Sequence, residues 1–247
     1  MKLKFLKTLV LVLITTGLRA QNIVGEVEYR YRIFYDKIYS GLPHLTQQEK
    51  DRILLTWSNP EGYSTRMKLQ FWPEKSLYTF GEPYEVRSYS WQVEDYFIEN
   101  NLKDQTYLKY MDQMGKTYIV RGSLNAPKWR VMNEIRDILG HMCMKAVSED
   151  SIKGQKVTAW FASDIPVSIG PEEQFGLPGL ILAYDINDGM LIVEAEKITF
   201  GEPEKIITLP KKMKGREVSG TKYQDIVREF IQSSIESRGA WMWEIRY

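Results

Sequence analysis

The sequence predicts an α+β fold that is predominantly antiparallel β, a curved sheet or half-barrel with a C-terminal helix packed on it and one short helix near residue 50. Three observations carry this. Short β-branched and aromatic runs recur through residues 24–121 and 181–200. Two connections between such runs have the glycine-bearing form of tight hairpins. Only two stretches combine helical apolar spacing with a capping signal at their start.

Taken in order, residues 24–35 alternate and predict a first strand. Thr46, with Glu49 three residues on, forms a capping box for a helix over 47–55. Strands are expected at 64–71, 76–80 and 92–98. Residues 107–111 and 116–121 face each other across Asp112-Gln113-Met114-Gly115, and 181–186 and 190–200 flank Asn187-Asp188-Gly189. Thr221, with Gln224, predicts the start of a second helix. In it Ile226, Val227, Phe230, Ile231 and Ile235 recur at helical spacing, and Gly239 marks its end. Residues 241–247 are read as a returning edge strand. Exposed together, Trp241 and Trp243 would form a sticky patch, so burial or a partner is expected.

The first 20 residues read as a secretory signal peptide: basic Lys2, Lys4 and Lys7, an apolar core over 9–14, and Leu18-Arg19-Ala20 before Gln21. No cysteine lies near the cleavage point, so a lipid anchor there is not expected. The expectation is a periplasmic or extracellular protein with residues 21–247 as one β-rich domain and no membrane span after cleavage. Cleavage removes four cationic side chains and no acid, taking the formal charge from +1 to about −3. That leaves no basic excess for a nucleic-acid backbone. The chain has 1 cysteine, so no internal disulfide can form, and a composition 13% aromatic supplies the core instead.

Residues 176–181 read Gly-Leu-Pro-Gly-Leu-Ile. Leu177 before a proline is pushed to extended backbone, Pro178 fixes φ, and Gly179 is expected to supply the positive φ of a type II turn, with a strand starting near Leu180. With Gly170-Pro171 upstream, the hexapeptide resembles the defining signature of the GLPGLI family, exported proteins typical of Bacteroidota. Trp129, Gly140, Cys143, Lys145-Ala146, Ala159-Trp160-Phe161 and Ile165-Pro166 fall in that family's usual order. The resemblance covers about residues 125–185, and His141 departs from it by standing where the family has an aromatic residue. It implies export and action near outer-membrane transport machinery. The family has no agreed activity.

Chemistry-bearing clusters are few. His141-Met142-Cys143-Met144 offers donors for Cu(I) or Zn(II), which makes metal handling by His141 and Cys143 one alternative function. On a strand, those two side chains share a face but stand about 7 Å apart, too far for direct proton transfer. No nucleophile elbow, P-loop, zinc-protease or dinucleotide fingerprint occurs, and no cofactor is expected. A carboxylate-dependent hydrolase is a second alternative, drawing on Asp164, Glu172, Glu173, Asp185, Glu194 or Glu196; the alternation around Glu194 and Glu196 marks those two as the polar face of a strand.

The proline- and glycine-rich segment 160–179 is longer than a simple connection requires. It is read either as a concave binding surface for a small ligand, peptide, glycan or envelope protein, or as a brace over the open end of the sheet. Its candidate ligand-binding residues are Trp160, Asp164, Gly170, Pro171, Phe175, Gly176, Leu177, Pro178 and Gly179, with Phe175 and Leu177 expected beside Trp160.

Overall fold

Alternation of apolar and polar residues along strands such as Gly25–Ile33 gives one large sheet two unlike faces. The computed structural model describes residues 23–84, 95–241 and 245–246. In them twelve strands form an open, mostly antiparallel sheet: β1 (Gly25–Ile33), β2 (Tyr63–Trp72), β3 (Lys75–Phe80), β4 (Tyr96–Asn101), β5 (Thr106–Gln113), β6 (Lys116–Ser123), β7 (Arg130–Ile138), β8 (His141–Asp150), β9 (Gln155–Ala162), β10 (Leu180–Ile186), β11 (Leu191–Phe200) and β12 (Arg216–Ser219). The spatial order is β12-β6-β5-β4-β3-β2-β1-β11-β10-β9-β8-β7, and the β12–β6 pairing is parallel. Three helices accompany it: α1 (Tyr35–Gly41), α2 (Gln47–Trp57) and α3 (Gly220–Glu236).

Chain connectivity forces this sheet to curl. β6 and β7 are consecutive in sequence yet stand near opposite edges of the sheet. Laid flat, strands about 4.8 Å apart would separate them by about 48 Å. The linker over residues 124–129 reaches at most about 24 Å. The two ends must therefore approach each other, and the sheet becomes a bowl. Its inner face carries Val27, Tyr29, Tyr31 and Ile33 of β1 with Leu69 and Phe71 of β2 and Leu191 and Val193 of β11, all buried. The outer face of the same strands carries charge, with Arg30 paired to Glu196 across the β1–β11 boundary. Along part of the outside, the segment between β11 and β12 acts as a strap. Gln70 holds it by donating to the Lys205 carbonyl (2.7 Å) and accepting from the Ile207 N–H (2.8 Å), and Leu209 and Met213 cover an outer apolar patch of Leu108, Tyr110 and Ile119.

Both hairpins form where expected. Met114 and Gly115 have φ of 54° and 64° between the paired residues Gln113 and Lys116, the doubly left-handed geometry that matches strand twist. Asn187, Asp188 and Gly189 also take positive φ. The Thr46–Glu49 capping box is present, and α2 runs two residues beyond the expected end.

Several expectations are corrected. The first strand ends at Ile33, and α1 follows, burying Ile38 and Tyr39. Residues 92–94 of the expected fourth strand lie outside the described residues, and β4 extends instead to Asn101. Ser219, not Thr221, caps α3, its hydroxyl accepting from the Lys222 N–H. The left-handed residue that ends α3 is Arg238 (φ 58°), not Gly239. The described part of 241–247 forms no strand: the Ile245 N–H bonds back to the Trp241 carbonyl (3.1 Å). Trp241 and Ile245 are buried, and Trp243 lies outside the described residues.

Candidate functional site

The connection from β9 to β10, residues 163–179, enters the bowl and returns. Its backbone is tied down at both ends. The Leu180 and Ile181 N–H groups donate to the carbonyls of Ile165 (3.0 Å) and Ile169 (2.9 Å), and the Ser168 hydroxyl donates to the Leu177 carbonyl (2.7 Å). Ile165, Ile169 and Leu177 are core residues. The prolines restrict the path and lower the entropy lost here on folding, whereas the glycines add to that loss.

The hexapeptide works differently from the expected turn. The Gly179 N–H bonds the Leu177 carbonyl (2.8 Å), a three-residue turn centred on Pro178. Gly176, not Gly179, carries the positive φ (91°), and a side chain there would also strike Ala126. Gly179 is needed for space: a Cβ would overlap the Ala162 carbonyl, with its carbon at 2.6 Å, and that backbone cannot yield. Gly170 is similarly closed in, its Cβ position 2.6 Å from Ile181 Cβ. The strand starts at Leu180, as expected.

The nine candidate residues do not form one surface. Gly170, Pro171, Leu177 and Gly179 are buried, whereas Asp164, Gly176 and Pro178 are exposed. Phe175 lies by Trp129, whose indole N–H donates to the Phe175 carbonyl (2.8 Å). Trp160, on β9, has two cations near its ring, the Arg136 guanidinium and the Lys145 ammonium, each 5.9 Å from its centroid.

What the structure does bring together is Asp164 with His141. Their separation in sequence is 23 residues, yet His141 Nδ1 and Asp164 Oδ2 lie 2.7 Å apart. His141 is placed by the tight turn at Leu139-Gly140 (φ 56° and 83°) that opens β8, and Asp164 by the exit from β9. The pair borders a cleft of ≈ 770 Å³ lined by Ile23, Val24, Ile165, Phe200, Gly201 and Glu202. The Asp164 side chain is 58% exposed and that of His141 21%, and Phe200 presents an apolar ring that is 53% exposed. The apolar lining with a few polar groups at its edge is the usual make-up of a ligand site. Spacing gave no hint of these lining residues; the one local signal is Phe200, an exposed ring at the end of a strand beside Gly201 (φ 107°).

His141 and Cys143 do not converge. The Cys143 Sγ approaches the His141 carbonyl (3.5 Å) rather than the ring, and burial, with the charge of Asp164 adding, pushes its thiol up to about 12. Such a thiol is a poor nucleophile at neutral pH. Among the described residues, no three His, Cys, Asp or Glu side chains gather as a metal would require. The other acids are dispersed: Glu194 pairs with Arg136 (2.5 Å), Glu196 with Arg30, and Glu173 with Lys109 (2.5 Å). Asp185 is half-buried, and burial raises its pKa. Glu172 goes into the bowl, its backbone left-handed (φ 55°) at a cost of about 1–2 kcal/mol, and meets Arg246 there.

A family described as "Protein of unknown function (Porph_ging)" matches over residues 147–183. The stretch contains the hexapeptide and is consistent with the GLPGLI resemblance. No curated protein matches the chain. Among solved structures, the fold is similar to PNGF-II in its P21 crystal form (TM-score 0.53, 18% identity, 83% of this chain and 33% of that one). The C2 form gives a TM-score of 0.52 at 17% identity, over 83% of this chain and 32% of that one. The chain thus spans about a third of the length of PNGF-II, and the likeness is one of fold. No helix among the described residues is long and apolar enough to cross a membrane.

Proposed function

We propose that the chain is an exported, single-domain binding module of the cell envelope, and that its ligand is a glycan held in the His141–Asp164 cleft. The observation that supports this is the pairing of the Asp164 carboxylate with His141 (2.7 Å) at the border of a cleft where Phe200 exposes its ring. A sugar ring has an apolar C–H face that packs on an aromatic ring and hydroxyls that donate to carboxylates. Phe200 supplies the first partner; Asp164 and Glu202 supply the second. His141 fixes the Asp164 carboxylate in one orientation. Export rests on the N-terminal signal pattern, which lies outside the described residues.

Glycan-array screening of the chain, followed by calorimetry on any hit, tests this reading. Phe200→Ala and Asp164→Asn are each expected to weaken binding by about tenfold or more, the scale of one charge-assisted hydrogen bond or one buried ring face. A glycan bound equally well by both variants would place its site elsewhere. Binding of peptides alone, with the same variants defective, would keep the cleft and change the ligand.

A further inference from the structure

At the other end of the bowl, a cation is held inside. Arg246 follows the buried Ile245, and its guanidinium carbon lies 3.9 Å from the ring centroid of Tyr31, 4.6 Å from that of Tyr96 and 5.7 Å from that of Phe80. Its Nε donates to the Glu172 carboxylate. Only 15% of the Arg246 side chain and 11% of the Glu172 side chain are exposed. Three aromatic faces and one carboxylate therefore surround one guanidinium.

The walls of this cage stand without their occupant. Tyr31, Phe80 and Tyr96 come from β1, β3 and β4 at the heart of the sheet. Phe80 and Tyr96 pack on each other at 5.8 Å, and Tyr96 on Tyr78 at 6.4 Å. Glu172 is aimed by its own turn, which the Gln174 N–H closes onto the Pro171 carbonyl (3.1 Å), and Ile169 and Leu177 anchor the loop on either side. Arg246 instead arrives on a segment fixed by Trp241, Ile245 and a Lys153 hydrogen bond to the Arg246 carbonyl (2.7 Å). Polar capacity is left over inside: Arg246 Nη2 and the hydroxyls of Tyr78 and Tyr184 are buried without a hydrogen-bond partner among the described residues. Glu172 raises the pKa of both phenols, after burial itself, which puts them in the field of the pair.

We propose that Tyr31, Phe80, Tyr96 and Glu172 form a guanidinium-binding site in its own right, one that the chain fills in cis with Arg246 and that takes a free guanidinium from solution when the Arg246 side chain is removed. The chemistry selects arginine over lysine. A guanidinium is planar, weakly hydrated and able to stack on rings while donating to a carboxylate, whereas an ammonium is a compact and strongly hydrated charge. Glu172 belongs to the same β9–β10 segment that carries Asp164 and Ile165 to the cleft.

The test uses the full chain carrying Arg246→Ala, with ethylguanidinium as the probe and ethylammonium as its control. The variant is expected to melt on the order of 10 °C below the parent, the consequence of leaving Glu172 buried and unpaired. Ethylguanidinium should raise that melting temperature saturably, by about 5 °C at a hundredfold excess over Kd, and should leave the parent unmoved. Ethylammonium should do far less, and Arg246→Ala combined with Glu172→Gln should not respond. Absence of a saturable shift in Arg246→Ala, or equal shifts in the parent or the double variant, would overturn the proposal. Should the alanine variant not fold, Arg246→Lys keeps the charge and most of the reach. A melting temperature equal to the parent's would then overturn the cage, and a loss of several degrees would support it.

Discussion

Two carboxylates of the connection between β9 and β10, eight positions apart, are treated in opposite ways. Asp164 meets His141 at the border of a cleft, more than half exposed. Glu172 meets Arg246 inside the bowl, almost fully covered. In water, an ion pair gains little, because solvent screens the attraction and competes for each partner. Under rings and backbone, the same attraction is strong but must first offset the loss of hydration, so what matters is the damage when one partner is removed. The exposed pair is therefore open to ligand exchange, whereas the buried pair fixes structure, and one loop joins them.

The largest effect expected from this contrast is at Glu172. Glu172→Gln keeps the shape and removes the charge, leaving Arg246 buried without its counter-ion, and should cost about 3–5 kcal/mol of unfolding free energy in denaturant titrations. A loss below about 1 kcal/mol would show that the interior is wet enough to solvate a lone guanidinium, and the contrast between the two pairs would collapse.

Why this pair escapes a reading of the sequence, while much else does not, has a physical explanation. Hairpin turns and caps are decided by residues in contact along the chain, so Met114-Gly115, Asp188-Gly189 and Thr46–Glu49 announce themselves. The start of β10 at Leu180 is legible for the same reason. β7 is not: it is an edge strand, largely exposed, and its register shifts between Val131 and Ile135, where three residues face the single Lys145, so alternation is lost. α1 is short, has no capping side chain and follows directly on a strand. Gly179 shows a subtler failure, since glycine signals freedom in φ and lack of bulk alike, and only the neighbouring Ala162 carbonyl reveals which is used. The site contacts are harder still. His141 and Asp164 each stood out singly, but their meeting depends on how β8 and β9 pair, and Glu172 with Arg246, 74 residues apart, depends on the curl of the entire sheet.

Asp164→Asn sharpens the comparison from the other side. With the carboxylate largely in solvent, its removal should change stability by less than about 1 kcal/mol, while ligand binding in the cleft falls. Stability and binding thus separate at Asp164 and do not at Glu172. Equal destabilisation by Asp164→Asn and Glu172→Gln would mean that the cleft pair is structural after all.

The smallest expected effect concerns a third carboxylate, Glu49, which is exposed and serves as a control for what solvent does to a well-formed pair. It accepts from the Arg238 guanidinium (2.6 Å) and from the Thr46 backbone and hydroxyl, tying α2 to the end of α3. Hydrogen bonding to Arg238 first, and to Thr46 second, lowers its pKa from 4.5 to about 2. A carboxyl with a depressed folded-state pKa contributes stability that is complete above its unfolded value and is lost as pH falls through the folded one. Glu49→Gln retains a side-chain oxygen for the capping box but loses the charge. Its melting temperature should lie slightly below the parent's at pH 6, with the gap closing as the pH approaches 2. Added salt at pH 6 should narrow the gap as well, because an exposed pair is screened. A gap that stays constant from pH 6 to 2 would assign the loss to the helix cap instead of the Arg238 pair, and burial would then not be the variable that ranks these three carboxylates.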